Sequence, residues 1–183
     1  MDSLLPADLV GMAARVIAAN KALGRTVAVA ESCTGGLVAA ALTEIAGSSA
    51  VLDRGFVTYS NAAKIEMLGV SEDLIDTFGA VSVAVAWSMA QGALGRSSAD
   101  VAVAITGIAG PDGGSEQKPV GTVVFACARR GQDDEDAVEA ETKLFSGDFT
   151  GPGGRAEVRR QAALVALELL LPPETAPMAA SAP

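Results

Sequence analysis

Ser32 stands in the run Glu31-Ser32-Cys33-Thr34-Gly35-Gly36, between a short β-branched, apolar stretch and an alanine-rich one. A serine between a strand and a helix, followed by two glycines, lets backbone N–H groups approach a ligand closely and hold an oxyanion at the helix amino terminus. That is the setting of a nucleophile. The same position suits a helix cap, either Ser32 or Thr34, and spacing does not separate the two. The chain has no histidine, which excludes Ser-His-Asp triads, Cys-His dyads and His-ligated zinc or iron. A nucleophilic serine then needs another base, and lysine serves once burial or a nearby cation makes it neutral. Lys64 is the candidate, with Tyr59 placed to orient it or relay a proton. Taken singly, Lys64 also reads as a solvated helix lysine and Tyr59 as a half-buried strand residue.

Three other segments carry residues that could act on a ligand. The loop Gly107-Ile108-Ala109-Gly110-Pro111-Asp112-Gly113-Gly114 has the composition of a phosphate cradle, but it lacks the Lys-Ser/Thr of a P-loop and matches no G-x-G-x-x-G; a plain connection explains it equally well. Arg155, after Gly153 and Gly154, could pair with a phosphate bidentately or lie on the surface. The acidic run Asp133-Asp134-Glu135-Asp136 reads as a solvated hairpin turn and not as a metal site.

The elements that must position these groups follow from pattern. Leu9, Ala13, Val16, Ile17 and Leu23 recur at helical spacing between Pro6 and Gly24. A strand over 26–30, an alanine-rich helix to about 45 and a second strand over 55–59 make a right-handed βαβ unit. Helices are predicted over 61–68, from 71 and over 82–94, followed by a buried strand over 101–106. Strands over 122–128 and 138–145 are joined by a connection too short for a crossover and so form an antiparallel hairpin. A last helix over 156–171 precedes a proline-rich tail, 172–183, expected to be mobile. Strands one, two, three and five then end on one edge of the sheet, where open α/β folds bind ligands. Ser32, Lys64, Gly107 and Arg155 all fall in segments leaving that edge.

Composition bounds the rest. At 183 residues, 50% hydrophobic and 19% charged, the chain reads as one globular domain over 1–171. A net charge of -9 argues against nucleic acid or an anionic membrane as partner. The amino terminus lacks a basic region before an apolar stretch, and two cysteines make no disulfide framework, so a cytoplasmic location is expected. The uncharged segment 77–95 reads as a buried or half-buried helix and not as a membrane span. Its apolar excess, with Trp87 and Met89, predicts a homo-oligomer.

The motifs together resemble a known family. Ala30-Glu31-Ser32-Cys33-Thr34-Gly35-Gly36, Gly55-Phe56-Val57-Thr58-Tyr59-Ser60-Asn61 with Lys64, Leu68-Gly69-Val70, Gly79-Ala80-Val81-Ser82, Thr106-Gly107-Ile108-Ala109-Gly110-Pro111 and Lys118-Pro119-Val120-Gly121-Thr122 are similar, in order, to the CinA carboxyl-terminal domain family, in its stand-alone form. The resemblance implies a three-layer α/β/α sandwich with a mixed five-stranded sheet whose fourth strand is antiparallel. It implies an amidohydrolase that converts nicotinamide mononucleotide to nicotinic acid mononucleotide and ammonia, with no cofactor and no metal. Ser32 would be the nucleophile, Lys64 its base, and Tyr59 and Asn61 their support. Amides near Thr34, Gly35 and Gly36 would hold the oxyanion, Thr106 and Gly107 would line the substrate pocket, and Arg155 would face the phosphate. In the family that arginine follows Gly-Asp directly; here Phe149-Thr150-Gly151-Pro152-Gly153-Gly154 separates Gly147-Asp148 from Arg155. The competing expectation is a non-catalytic nucleotide-binding or regulatory module linked to competence or DNA damage.

Overall fold

The computed structural model describes residues 3–131, 139–147, 149, 151 and 153–173. The acidic run at 133–136, Asp148 and the tail from 174 onward lie outside them.

The repeats Val27-Ala28-Val29-Ala30 and Val101-Ala102-Val103-Ala104-Ile105 write the layers of the fold in a two-residue period. Strands β1 (Val27–Glu31) and β3 (Val101–Gly107) pair in parallel at the centre of the sheet. Their Val and Ile side chains face one cluster with α1 (Ala7–Ala22), α2 (Leu37–Thr43) and α6 (Gly154–Leu169). Their alanines face the other, with α3 (Asn61–Leu68), α4 (Glu72–Phe78) and α5 (Val83–Gly95). β4 (Thr122–Arg129) continues the pattern, with Val123, Phe125 and Cys127 on the first face and Val124, Ala126 and Ala128 on the second. Small side chains on the second face let α5 lie close to the sheet.

The strand order is β2-β1-β3-β4-β5. β2 (Leu52–Val57) runs parallel to β1, while β4 is antiparallel to both β3 and β5 (Glu139–Leu144). This is the mixed five-stranded sheet of the sequence reading, with its fourth strand reversed. β2 begins at Leu52 and ends at Val57, earlier than the predicted 55–59, because Asp53 and Arg54 hid it. An edge strand tolerates such charges on its solvated face, and both residues are exposed here. Tyr59 therefore lies beyond the strand, in the turn entering α3.

α5 shows why the segment 77–95 is so apolar. Val85, Ala86, Met89, Ala90, Ala93 and Leu94 are buried within the second cluster, Trp87 is partly buried against it, and Phe78 and Val83 stay exposed. Gly92 sets how close α3 can come: a Cβ there would lie 2.1 Å from the Leu68 carbonyl oxygen. Arg96 Nη1 donates to the same oxygen at 2.7 Å. α3, which carries Lys64, is thereby seated on α5. Cys33 and Cys127 are both buried free thiols. Among the described residues no helix is long and apolar enough to cross a membrane.

Candidate active site

The carboxyl ends of β1 and β3 lie side by side at the centre of the sheet, and the chain leaves β1 toward β2 but reaches β3 by crossing back. Such a switch point opens a crevice in α/β sheets. Ser32, the first residue after β1, sits there. Its N–H donates to the Ile105 carbonyl at 2.9 Å, and the Thr58 N–H donates to the Glu31 carbonyl at 2.8 Å. Ser32 is thus stitched to both neighbouring strands, and its side chain keeps a narrow opening, at 8% exposure.

Lys64 arrives from the other side. The Ser60 hydroxyl caps α3 by accepting from the Ala63 N–H at 3.0 Å, which places Lys64 in the first turn with its side chain directed back to the sheet. It is 1% exposed. Its Nζ lies 3.1 Å from Ser32 Oγ, 3.0 Å from the Thr58 carbonyl oxygen and, in a longer contact, 3.4 Å from that of Tyr59. No carboxylate pairs with it among the described residues. Desolvation by burial pushes its pKa down from the usual lysine value, and the partial positive charge at the amino end of α3 acts in the same sense. A neutral amine has two N–H bonds and one lone pair. The two carbonyls accept the N–H bonds, so the lone pair is left for the Ser32 hydroxyl proton.

The alternative in which Ser32 or Thr34 caps α2 loses its basis, because another residue does that work. Glu31, fully buried, accepts from the Gly36 and Val38 N–H groups on Oε2 at 2.9 and 3.1 Å, and from the Ala39 N–H on Oε1 at 2.9 Å. Ser32 Oγ meets Lys64, and Thr34 Oγ1 is buried without a partner among the described residues. Gly35 and Gly36 adopt left-handed φ of 59° and 94°, which explains the paired glycines of the turn. The amides expected near an oxyanion, those of Thr34, Gly35 and Gly36, divide on the same ground. The Gly36 amide is taken by Glu31, and the Gly35 amide donates to the Ser32 carbonyl at 3.0 Å. The Cys33 and Thr34 amides donate to no oxygen among the described residues. A donor on the residue after the nucleophile is where serine hydrolases of the nucleophile-elbow type place theirs.

The remaining candidates are distributed around this centre. Tyr59 is 58% exposed, and its hydroxyl accepts from Arg155 Nη2 at 2.7 Å; what it offers Lys64 is its backbone carbonyl. Asn61 opens α3, exposed, with no side-chain hydrogen bond among the described residues. Thr106 is 1% exposed and spends its hydroxyl on the Ala80 carbonyl at 2.9 Å, tying β3 to the turn before α5. At Gly107 a Cβ would meet Thr122 O at 2.9 Å and Val123 Cγ2 at 2.8 Å, so that glycine serves the β3–β4 pairing. Arg155 Nη1 donates to the Gly110 carbonyl at 2.8 Å. With its bond to Tyr59 it links three segments of the sheet edge. Among the described residues before it, Phe149 is buried in the core, and at Gly154 a Cβ would lie 2.3 Å from the Phe149 carbonyl oxygen.

Sequence reasoning missed the capping role of Glu31 and missed Arg159 altogether. Arg159 Nη2 donates to the Thr34 carbonyl at 2.9 Å, so it braces the turn after Ser32 from α6. A spacing of four from Arg155 put it on the same helix face and was the available signal. Cys33, though adjacent to Ser32, is buried in the core, and desolvation pushes its thiol up to about 12, which keeps it protonated and unreactive.

The CinA C-terminal domain model matches residues 10–172. The chain is 55% identical over 154 residues to the nicotinamide-nucleotide amidohydrolase PncC of Enterobacter agglomerans, covering 84% of this chain and 88% of that protein. It is 53% identical over 164 residues to PncC of Escherichia coli strain K12, covering 89% and 93%. Among solved structures, the competence/damage inducible protein CihA from Agrobacterium tumefaciens superposes with a TM-score of 0.83 at 52% identity, covering 92% of this chain and 97% of that one. The chain belongs to the CinA C-terminal domain family.

Proposed function

We propose that the protein is an amidohydrolase that deamidates nicotinamide mononucleotide through an acyl-serine intermediate. The observation that carries this reading is the 3.1 Å approach of Lys64 Nζ to Ser32 Oγ, in a setting that favours the neutral amine. The identity of more than half over most of the chain with relatives named for this substrate supplies the substrate class. Ser32 Oγ attacks the carboxamide carbon while Lys64 takes the hydroxyl proton. The Cys33 and Thr34 amides stabilise the oxyanion that forms. Lys64 returns its proton to the amide nitrogen, the C–N bond breaks and ammonia leaves. Water then attacks the ester, Lys64 again receiving the proton, and the nicotinic acid nucleotide departs with Ser32 restored. No step needs a metal or an organic cofactor. We place the reaction in pyridine nucleotide salvage within a reducing cytoplasm, where two unpaired thiols persist.

The deciding experiment incubates purified protein with nicotinamide mononucleotide and measures ammonia together with the acid nucleotide. Equal amounts of the two products are expected. Binding of the nucleotide without ammonia release would hand the protein to the binding-module reading.

Arg155 is the phosphate-side group in this reading. A guanidinium carries five N–H donors, and among the described residues two bonds are made, to Gly110 and Tyr59. The remainder can meet a phosphate, which a chain of net charge -9 otherwise repels. Arg155→Ala is expected to raise KM for the mononucleotide about ten-fold or more, from the loss of charged hydrogen bonds worth ~1.5–3 kcal/mol each. Slow hydrolysis of nicotinamide riboside, which has no phosphate, should hardly change. Equal losses on both substrates would make Arg155 a support of Tyr59 and the 107–110 loop instead.

A further inference from the structure

Glu31 does no chemistry in the proposed reaction, yet among the described residues it is the one fully buried carboxylate at the site. No lysine or arginine pairs with it among the described residues. Burying a carboxylate without a counter-ion is costly unless its lone pairs are occupied by donors. Here three backbone N–H groups, of Gly36, Val38 and Ala39, supply them. This is more than a tidy helix cap, because it decides which amides of the turn stay free. With Gly35 donating to Ser32 and Leu37 to Thr34, every amide from Gly35 to Ala39 is committed, while Cys33 and Thr34 remain. Arg159 fixes the Thr34 carbonyl from the other side, and the Ser32 N–H is fixed on β3. The turn has no freedom to rotate its two open amides into an internal bond.

We infer that Glu31 is a positioning residue for acyl transfer: its carboxylate locks the Ser32 turn so that the Cys33 and Thr34 amides stay available as oxyanion donors. Glu31 touches no reacting atom. The inference rests on the acyl-serine reading. It separates cleanly from a purely structural role, since an oxyanion exists only beyond the ground state. Loosening the donors lowers kcat and leaves KM nearly unchanged, whereas loss of a mere cap lowers melting temperature and spares the turnover of each folded molecule.

Two variants test this. Glu31→Gln keeps the shape but presents an NH₂ group to at least one backbone N–H. Glu31→Asp keeps the charge but is one methylene short of spanning the three amides. Folding is followed by circular dichroism and by emission of Trp87, which lies on the opposite face of the sheet. Turnover is measured well below the melting point on nicotinamide mononucleotide and on p-nitrophenyl acetate, a simple acyl donor, with Ser32→Ala as the blank. The expected result is a fall of about 10²-fold in kcat per folded molecule for each variant, with KM within about three-fold of wild type. A kcat within about three-fold of wild type, a loss carried by KM alone, or failure of both variants to fold would overturn the assignment. Wild-type protein that cleaves the ester but not the mononucleotide would refute the substrate and leave the Glu31 comparison to be read on the ester. Wild-type protein that cleaves neither would overturn both.

Discussion

Ser32→Ala is expected to lower ammonia release from nicotinamide mononucleotide by about 10⁶-fold, the scale seen when a serine hydrolase loses its nucleophile. The loss should come entirely in kcat, because in the proposed reaction Oγ is the atom that forms the covalent bond and contributes little to holding the nucleotide. The fold should survive. Ser32 caps no helix, its backbone bonds to β3 do not involve the side chain, and Glu31 keeps the start of α2 satisfied. Circular dichroism and the melting curve should therefore overlay closely on wild type. A variant that kept half its turnover would remove Ser32 from the chemistry and return it to the status of a turn residue.

The second large effect belongs to Lys64 and has a pH signature. Its pKa lies below the ordinary lysine value of about 10.4, so kcat/KM should rise with pH as the amine loses its proton and level off before that value is reached. Lys64→Arg should lose at least about 10³-fold, since a guanidinium keeps its proton throughout the accessible range. Stability should follow the same group with a definite sign. In the folded protein the ammonium is disfavoured, so its burial penalty is present in full below the folded pKa. The penalty disappears as pH climbs from the folded to the unfolded value, because there the unfolded chain binds the extra proton. Wild type should gain stability across that window, and Lys64→Met should lose the slope. A Lys64→Arg protein with substantial turnover would make Lys64 an electrostatic support and not a base.

The parts of this site that sequence revealed are those with a local signature. The Val/Ala alternation at 27–30 and 101–105 declares two strands buried on both faces, and the glycine pair after Ser32 declares a tight turn. The position of Lys64, one turn past a strand end, follows from helix geometry. What stayed hidden depends on contacts across the chain. Glu31 reaches amides five to eight residues ahead, outside the spacing of any capping box, and as a strand residue it gave no sign of facing a helix. The bond between Arg155 and Tyr59 spans 96 residues. β2 was misplaced because solvent-facing charges on an edge strand look like loop, and in α5 sequence could not tell the residues buried against the alanines of the sheet from those left exposed.

Ser32 and Lys64 are 32 residues apart, and they are joined through a parallel β1–β2 pair that exists only once its crossover has closed. A chain emerging during synthesis thus carries an ordinary alcohol and a hydrated ammonium, neither of them reactive. The proposed nucleophile is switched on by completion of the sheet, since only then are the amine stripped of water and the hydroxyl laid beside it. On the proposed mechanism, a copy whose β1–β2 crossover has not closed is chemically silent toward acyl donors.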